Sequence, residues 1–200
     1  MGSKFFFYFG VMGSSKSLRL LATAHDFTEK KIPIMVMKPS IDTRDGENKI
    51  KSRAGLEMPC ISIGENDDLF KIIADENNRL LKENGEKLYW VFIDECQFLT
   101  EEQINQLSDV VDYLNINVSC YGLRTDFKSK LFPASKRLFE IADEFEEVKT
   151  RCECGRKSSI NARIKSNGEI IKYGDQILVG GDDMYHAMCR KCWKQNKIKN

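Results

Sequence analysis

An eight-residue run near the start of the chain has the spacing of a phosphate-binding loop. Residues 10–17 read Gly-Val-Met-Gly-Ser-Ser-Lys-Ser, and seven of the eight positions are compatible with the pattern G-x-x-x-x-G-K-[ST]. The exception is Ser15, which stands where the pattern has its second glycine. Backbone N–H groups in such a loop converge on phosphate oxygens. Lys16 would neutralise phosphate charge and Ser17 would bind Mg²⁺; the alternative is a serine-rich turn that binds nothing.

Two adjacent carboxylates follow an apolar run. Residues 88–93 are apolar and end in Asp94 and Glu95. This is the form of the second phosphate-site motif, in which the aspartate holds Mg²⁺ directly or through water. The adjacent glutamate can accept a proton from an attacking hydroxyl. The competing interpretation is that one of the acids only caps a turn.

Four of the seven cysteines form two close pairs, Cys152-x-Cys154 and Cys189-x-x-Cys192. Four thiolates in two pairs are the ligand set of a structural Zn²⁺ site, which leaves no open position for catalysis. Four free thiols, or a redox-active pair, remain open as alternatives. The odd cysteine count and the pairing favour a reducing compartment over a disulfide framework.

The elements that must position these residues alternate between strand and helix. Apolar runs at 5–9, 32–37, 88–93 and 116–121 are typical of strands buried on both faces. Helices are predicted after the phosphate loop, over 67–84, and after the capping-box pattern that starts at Thr100. Residues 40–59 are polar and predict a long loop. The alternation indicates a parallel sheet covered by helices.

The composition changes after residue 149. Short alternating stretches follow, with a hairpin turn signal at Asn167-Gly168. We therefore expect an α/β fold: a P-loop NTPase-like parallel sheet covered by helices, with a small zinc-binding β-rich C-terminal domain. The predicted boundaries are 1–149 for the nucleotide-binding domain, 150–193 for the zinc-binding domain and 194–200 for a tail.

Charge and hydropathy exclude two classes of partner. The 200 residues carry 31 Lys+Arg and 30 Asp+Glu, a net charge of +1, which argues against a basic nucleic-acid surface. No apolar run approaches the roughly 20 residues of a membrane span. We expect neither a nucleic-acid nor a membrane partner, and a zinc-ribbon nucleic-acid module is disfavoured.

Five segments together resemble the cellular, or type II, thymidine kinases. Residues 94–98 (Asp-Glu-Cys-Gln-Phe) resemble the family's D-E-[ACG]-Q-F signature, and residues 121–127 (Tyr-Gly-Leu-Arg-Thr-Asp-Phe) resemble its bacterial Y-G-L-R-T-D-F segment. Residues 39–44, 52–56 and 180–192 are similar to further family segments. The matches run in order from about Phe5 to Trp193 and are closest to bacterial and phage members.

The resemblance implies an activity and a set of site residues. The reaction is transfer of the ATP γ-phosphoryl group to the 5′-hydroxyl of thymidine, and of deoxyuridine, in deoxynucleotide salvage. Glu95 is implied as general base, Arg44 as the group holding the 5′ end and the phosphoryl charge, and Lys16 as a further catalytic residue. The implied ATP-binding residues are Gly10, Val11, Met12, Gly13, Ser14, Ser15, Lys16, Ser17, Asp94, Glu95, Cys96 and Gln97, with Ser17 and Asp94 on Mg²⁺. The implied nucleoside-binding residues are Met12, Asp42, Arg44, Phe98, Leu123, Phe127, Phe132, Val179 and Tyr185.

The same resemblance implies a homotetramer, feedback inhibition by dTTP and a cytoplasmic location. It also implies that a zinc ion on Cys152, Cys154, Cys189 and Cys192 braces the segment that encloses the nucleoside. One alternative stays open because of Ser15: a catalytically impaired P-loop protein that binds thymidine or dTTP as a sensor or partner.

Overall fold

Six parallel strands form the main sheet of the computed structural model, which describes residues 2–44, 46–165, 167–174 and 185–196. The order across the sheet is β5-β2-β6-β7-β1-β8, and every pairing in it is parallel. The strands are β1 (Phe5–Gly10), β2 (Ile34–Pro39), β5 (Ile61–Ile63), β6 (Trp90–Ile93), β7 (Asn117–Leu123) and β8 (Glu144–Glu147).

Helices cover both faces of this sheet, as predicted. They are α1 (Lys16–Glu29), α2 (Leu69–Asn84), α3 (Glu101–Leu114) and α4 (Pro133–Ile141). One apolar cluster joins strand residues such as Phe7 to Ile73 of α2 and Leu107 of α3. A second cluster, on the other face, joins Phe92 to Leu20 of α1. The expected α/β class with a helix-covered parallel sheet is therefore confirmed.

The local signals at the helix ends act as predicted. Thr100 and Gln103 form a reciprocal capping box at the start of α3, which satisfies two otherwise unpaired backbone N–H groups. The Asp68 side chain caps α2 by accepting from the Lys71 N–H, and Gly85 ends that helix in the left-handed region.

The prediction of a long loop over residues 40–59 is wrong in part. That segment contains an antiparallel hairpin of β3 (Lys49–Lys51) and β4 (Glu57–Pro59). Each strand has three residues, and only Ile50 is fully buried, where it packs in the α1 cluster. Strands of three residues are too short for their alternation to be recognised in the sequence, and their inward residues Ile50 and Met58 pack in the cluster that includes α1.

A smaller antiparallel sheet follows the main one. Its order is β10-β9-β11, with β9 (Ile160–Ile164), β10 (Ile170–Ile171) and β11 (Tyr185–Met188), and the short helix α5 (Arg190–Lys194) comes after it. Asn167 and Gly168 lie between β9 and β10, where the turn was expected. Val179 lies outside the described residues.

The carboxyl ends of four parallel strands converge on one edge of the main sheet. The segments leaving β1, β2, β6 and β7 there are residues 11–15, 40–44, 94–98 and 124–127. In open α/β sheets this edge is where ligands bind. Within the described ranges, no helix combines the length and the apolar character needed to cross a bilayer.

Candidate active site

A cavity of about 1010 Å³ opens at this edge of the sheet. Its wall includes the loop after β1, the acidic segment after β6, the segment after β7 and two side chains of the small sheet, Asn161 and Tyr185. A space of this size is large enough for two small ligands side by side. The candidate site therefore lies between the two sheets.

The loop after β1 turns through two left-handed residues before α1 begins. Gly13 has a φ of 70° and Ser15 a φ of 64°. The Ser15 side chain is exposed and makes no capping hydrogen bond to α1. Ser15 thus takes a left-handed backbone conformation of the kind that favours glycine, and it lines the cavity.

Lys16 is buried at the base of the loop. Its Nζ donates to the Val11 carbonyl oxygen at 3.0 Å. Burial lowers the pKa of Lys16, and the nearby carboxylates Glu95 and Asp94 oppose that shift. The ammonium group therefore lies close to both acids, where a phosphate would share its charge.

Asp94 and Ser17 have the character of a magnesium site. Asp94 is 3% exposed, and its Oδ1 has no hydrogen-bond partner among the described residues. Burial, reinforced by the charge of Glu95, raises the pKa of Asp94 to about 7, while a hydrogen bond from Ser17 opposes the shift. A buried carboxylate oxygen without a partner, beside a serine hydroxyl, suits a hard cation that prefers oxygen ligands.

Glu95 is held by a network of charged and polar side chains. The Arg44 guanidinium donates to Glu95 through Nη2 and, at 2.6 Å, to Asp42 through Nε. Gln97 donates to the other oxygen of Glu95 and accepts from the Leu123 N–H at 2.9 Å. Burial favours the protonated acid, but Arg44 and then Lys16 outweigh it, so the pKa of Glu95 is lowered. Glu95 is therefore ionised at neutral pH and held in one orientation.

The structure brings most of the predicted site residues to the cavity. Among the nucleoside set, the wall contains Met12, Asp42, Arg44, Phe98, Leu123, Phe127, Phe132 and Tyr185. Among the nucleotide set, it contains Gly13, Ser14, Ser15, Lys16, Ser17, Asp94, Glu95 and Gln97. Gly10 and Val11 lie in and just after β1, and the side chain of Cys96 packs in the core. The side chain of Cys96 therefore does not line the cavity.

Two side chains of β9 were missed by sequence analysis. The Asn161 side chain accepts a hydrogen bond from the Met12 N–H of the phosphate loop and donates one to the Thr125 carbonyl oxygen after β7. Arg163 is 5% exposed and stacks its guanidinium carbon 3.9 Å from the Phe127 ring centroid. It also donates to the Tyr185 hydroxyl. Both alternate with the apolar residues of β9, a pattern typical of a strand with one face in solvent, so the sequence held no usable signal.

The four paired cysteines meet behind the small sheet. Their Sγ atoms all lie within 4.8 Å of one another, and Cys154 Sγ is 3.6 Å from Cys189 Sγ. The Cys192 N–H donates to Cys189 Sγ at 3.4 Å and lowers the pKa of Cys189 to about 6. Four sulfurs around a tetrahedral Zn²⁺ at about 2.3 Å would be separated by roughly 3.8 Å. The cluster could therefore hold a structural zinc ion.

Comparison with known proteins decides the family. A thymidine kinase family model matches residues 3–193. The chain is 42% identical to the thymidine kinase of Mannheimia succiniciproducens over 197 residues, 98% of each chain. It is 43% identical to that of Haemophilus influenzae over 193 residues, covering 96% of this chain and 97% of the relative. The chain belongs to the thymidine kinase family. The thymidine kinase of Enterobacteria phage T4 is 40% identical over 189 residues, 94% of each chain.

The predicted resemblance is thus confirmed for bacterial and phage thymidine kinases. The match includes the phosphate loop, the acidic segment after β6 and all four paired cysteines. In this family member, Ser15 of the phosphate loop has a left-handed backbone conformation.

Proposed function

We propose that this chain is a thymidine kinase that transfers the γ-phosphoryl group of ATP to the 5′-hydroxyl of thymidine. The observation that carries the proposal is the ionised Glu95 held by Arg44, in the same cavity as Lys16, Ser17 and Asp94. Phosphoryl transfer depends on positioning and charge stabilisation more than on covalent chemistry. This set supplies two cationic groups, a metal-binding acid and a base.

The ATP side of the site is the phosphate loop. Its backbone N–H groups and Lys16 would surround the phosphates, with Ser17 and Asp94 on the metal. Mg²⁺, when bound, neutralises charge on the phosphate oxygens. The residues after Asp94, through Gln97, would border the nucleotide with their backbone.

Glu95 is the proposed general base. It would accept the proton of the 5′-hydroxyl while that oxygen forms a bond to the γ-phosphorus. The bond from phosphorus to the bridging oxygen breaks, and ADP leaves. Arg44, which is paired with Glu95, would stabilise the negative charge that develops on the transferred group.

The thymine and sugar would occupy the apolar part of the cavity. Met12, Phe98, Leu123, Phe127, Phe132 and Tyr185 form this wall, and a flat aromatic ring can stack on a pyrimidine. Val179 completes the proposed set. A pocket built on apolar contact rejects a missing methyl group only weakly, so we propose that deoxyuridine is also a substrate.

Family membership supports further proposals about the whole molecule. We assign residues 1–149 to the kinase domain, 150–193 to a zinc-binding domain that encloses the nucleoside, and 194–200 to a tail. We propose a cytoplasmic homotetramer inhibited by dTTP. The cysteine content, with free thiols at Cys60, Cys96 and Cys120, supports a reducing compartment.

The alternative, an impaired binder of thymidine or dTTP, has little support. Its basis is Ser15, whose backbone nonetheless takes the left-handed conformation that is open to glycine. Lys16, Asp94, Glu95 and Arg44 are all present in the cavity wall, and Arg44 pairs with Glu95. The relatives that the chain matches are named as kinases.

Formation of dTMP from ATP and thymidine with Mg²⁺ tests the proposal. The Glu95→Gln variant should lose at least about 100-fold in kcat, since it cannot accept the proton, while thymidine still binds. Glu76→Gln is the matched control, because Glu76 pairs with Arg79 on the exposed side of α2. Wild-type protein that binds thymidine without forming dTMP would refute the proposal and favour the impaired binder.

A further inference from the structure

Asn161 joins two loops that the chain separates widely. It lies in β9 and is 2% exposed. Its Oδ1 accepts from the Met12 N–H at 2.7 Å, and its Nδ2 donates to the Thr125 carbonyl oxygen at 2.9 Å. One side-chain amide therefore bonds to the phosphate loop and to the segment after β7.

Each of the two partners belongs to a different half of the cavity. Met12 immediately precedes the left-handed Gly13 and stands three residues before the left-handed Ser15, in the part of the loop that must curve around phosphates. Thr125 comes two residues before Phe127, in the wall proposed for the nucleoside. The Asn161 amide thus spans the boundary between the proposed ATP and thymidine sites.

We propose that Asn161 is a positioning residue that couples the phosphate loop to the nucleoside wall. The loop then holds its phosphate-binding curvature only while β9 is docked against it. The inference rests on the proposed function for what the two halves bind, and on the two hydrogen bonds alone for the coupling.

The amide is suited to this position because it presents a donor and an acceptor at once. A buried backbone N–H or carbonyl that loses its partner is costly, and an alanine here would orphan both Met12 N–H and Thr125 O. An aspartate would keep an acceptor for Met12 but would turn a second acceptor toward the Thr125 carbonyl. The hydrogen bond to Thr125 can therefore be broken while the one from Met12 is kept.

β9 is held on both sides by neighbouring strands, so its side chains have fixed positions. It is the central strand of the small sheet, paired on one side with β10 and on the other with β11. Two residues along, Arg163 bonds Tyr185 and stacks on Phe127. Movement of β9 would therefore disturb the nucleoside wall and, through Asn161, the phosphate loop.

Hydrogen–deuterium exchange and steady-state kinetics on Asn161→Ala and Asn161→Asp test the coupling. For Asn161→Ala we expect roughly tenfold faster exchange in the peptide of residues 10–17, and kcat/KM for ATP lower by roughly 10- to 100-fold. For Asn161→Asp we expect near wild-type exchange in that peptide, faster exchange in residues 124–131, and a higher KM for thymidine.

Asn77→Ala is the matched control. Asn77 is buried in α2 and accepts from the Leu88 N–H at 2.9 Å, so its loss should lower thermal stability without changing exchange in residues 10–17. Wild-type exchange in residues 10–17 of Asn161→Ala, or equal loop exchange in Asn77→Ala, overturns the proposal. If Asn161→Ala does not fold, the test rests on Asn161→Asp. In that variant, wild-type exchange in residues 124–131 together with unchanged KM values would overturn the coupling proposal. Because exchange needs no turnover, a failure to phosphorylate thymidine refutes the proposed function and leaves this test intact.

Discussion

Ser15 is the residue at which this chain departs from the phosphate-loop pattern, and its conformation explains how the departure is tolerated. Its φ of 64° and ψ of 27° lie in the left-handed region. A residue with a Cβ pays about 1–2 kcal/mol there, and glycine does not. The left-handed conformation of Ser15 therefore lowers folding stability, and we expect it to leave phosphate binding largely unchanged.

Ser15→Gly should therefore stabilise the protein with little change in turnover. We expect the free energy of unfolding to rise by about 1 kcal/mol, after the extra freedom of glycine in the unfolded chain is subtracted. The melting temperature should rise by about 2–4 °C, with kcat within a few-fold of wild type. Ser15→Ala, which keeps the Cβ, should gain no stability. An increase in kcat of several orders of magnitude would mean instead that Ser15 obstructs the phosphates.

At the level of single residues, the sequence predicted the site side chains that belong to short local motifs. Lys16, Ser17, Asp94 and Glu95 stand in short motifs directly after strands, so their types and spacing were sufficient. Asp42 and Arg44 came only through resemblance to a family. Asn161 and Arg163 could not be predicted, because each acts through partners that β9 reaches only in the folded molecule.

At the scale of elements, long strands and capped helices were predictable and the hairpin of β3 and β4 was not. Buried parallel strands produce continuous apolar runs, whereas the hairpin depends on Ile50 packing against α1. Its tip also carries Arg53, whose Nη1 lies 3.3 Å from the place that a Cβ on Gly13 would occupy. A segment that looks like a loop in the sequence thus forms part of the wall above the phosphate loop.

The close approach of β7 to the turn after β6 gives a second element-level prediction. A Cβ on Gly122 would lie 2.5 Å from Cys96 Sγ and 2.7 Å from Gln97 Oε1. Gly122→Ala should therefore destabilise the protein by about 1–3 kcal/mol and displace Gln97, which orients Glu95. We expect kcat to fall more than KM changes, measured by steady-state kinetics beside thermal unfolding.

Gly64→Ala is a suitable comparison for Gly122→Ala. The three atoms nearest to a Cβ there belong to the Asp67 carboxylate, the closest at 3.3 Å, and a side chain can give way more easily than a packed turn. Its kcat should stay near wild type. If Gly122→Ala kept full kcat, the orientation of Glu95 would not depend on this contact.

At the scale of the whole molecule, the cysteine cluster lies at the ends of the small sheet, and that sheet supplies Asn161 and Tyr185 to the cavity wall. Cys152 and Cys154 precede β9, while Cys189 and Cys192 follow β11. A metal bound to all four would therefore tie together the two strands that carry Asn161, Arg163 and Tyr185. The parallel sheet has its own apolar clusters on both faces and does not need this support.

Metal removal should accordingly disable the site while leaving the main sheet folded. We expect about one zinc ion per chain, and its removal by a chelator should abolish thymidine binding, lower the melting temperature and leave most of the far-ultraviolet circular dichroism. Added Zn²⁺ should restore wild-type protein but not Cys152→Ser. Cys60→Ser is the control, since Cys60 lies outside the cluster and burial raises the pKa of its thiol to about 11. Metal-free protein that still binds thymidine would show that the nucleoside site does not depend on the metal. The small sheet would then be held by its hydrogen bonds, by Arg163 and by the apolar packing of Ala162, Ile170 and Met188.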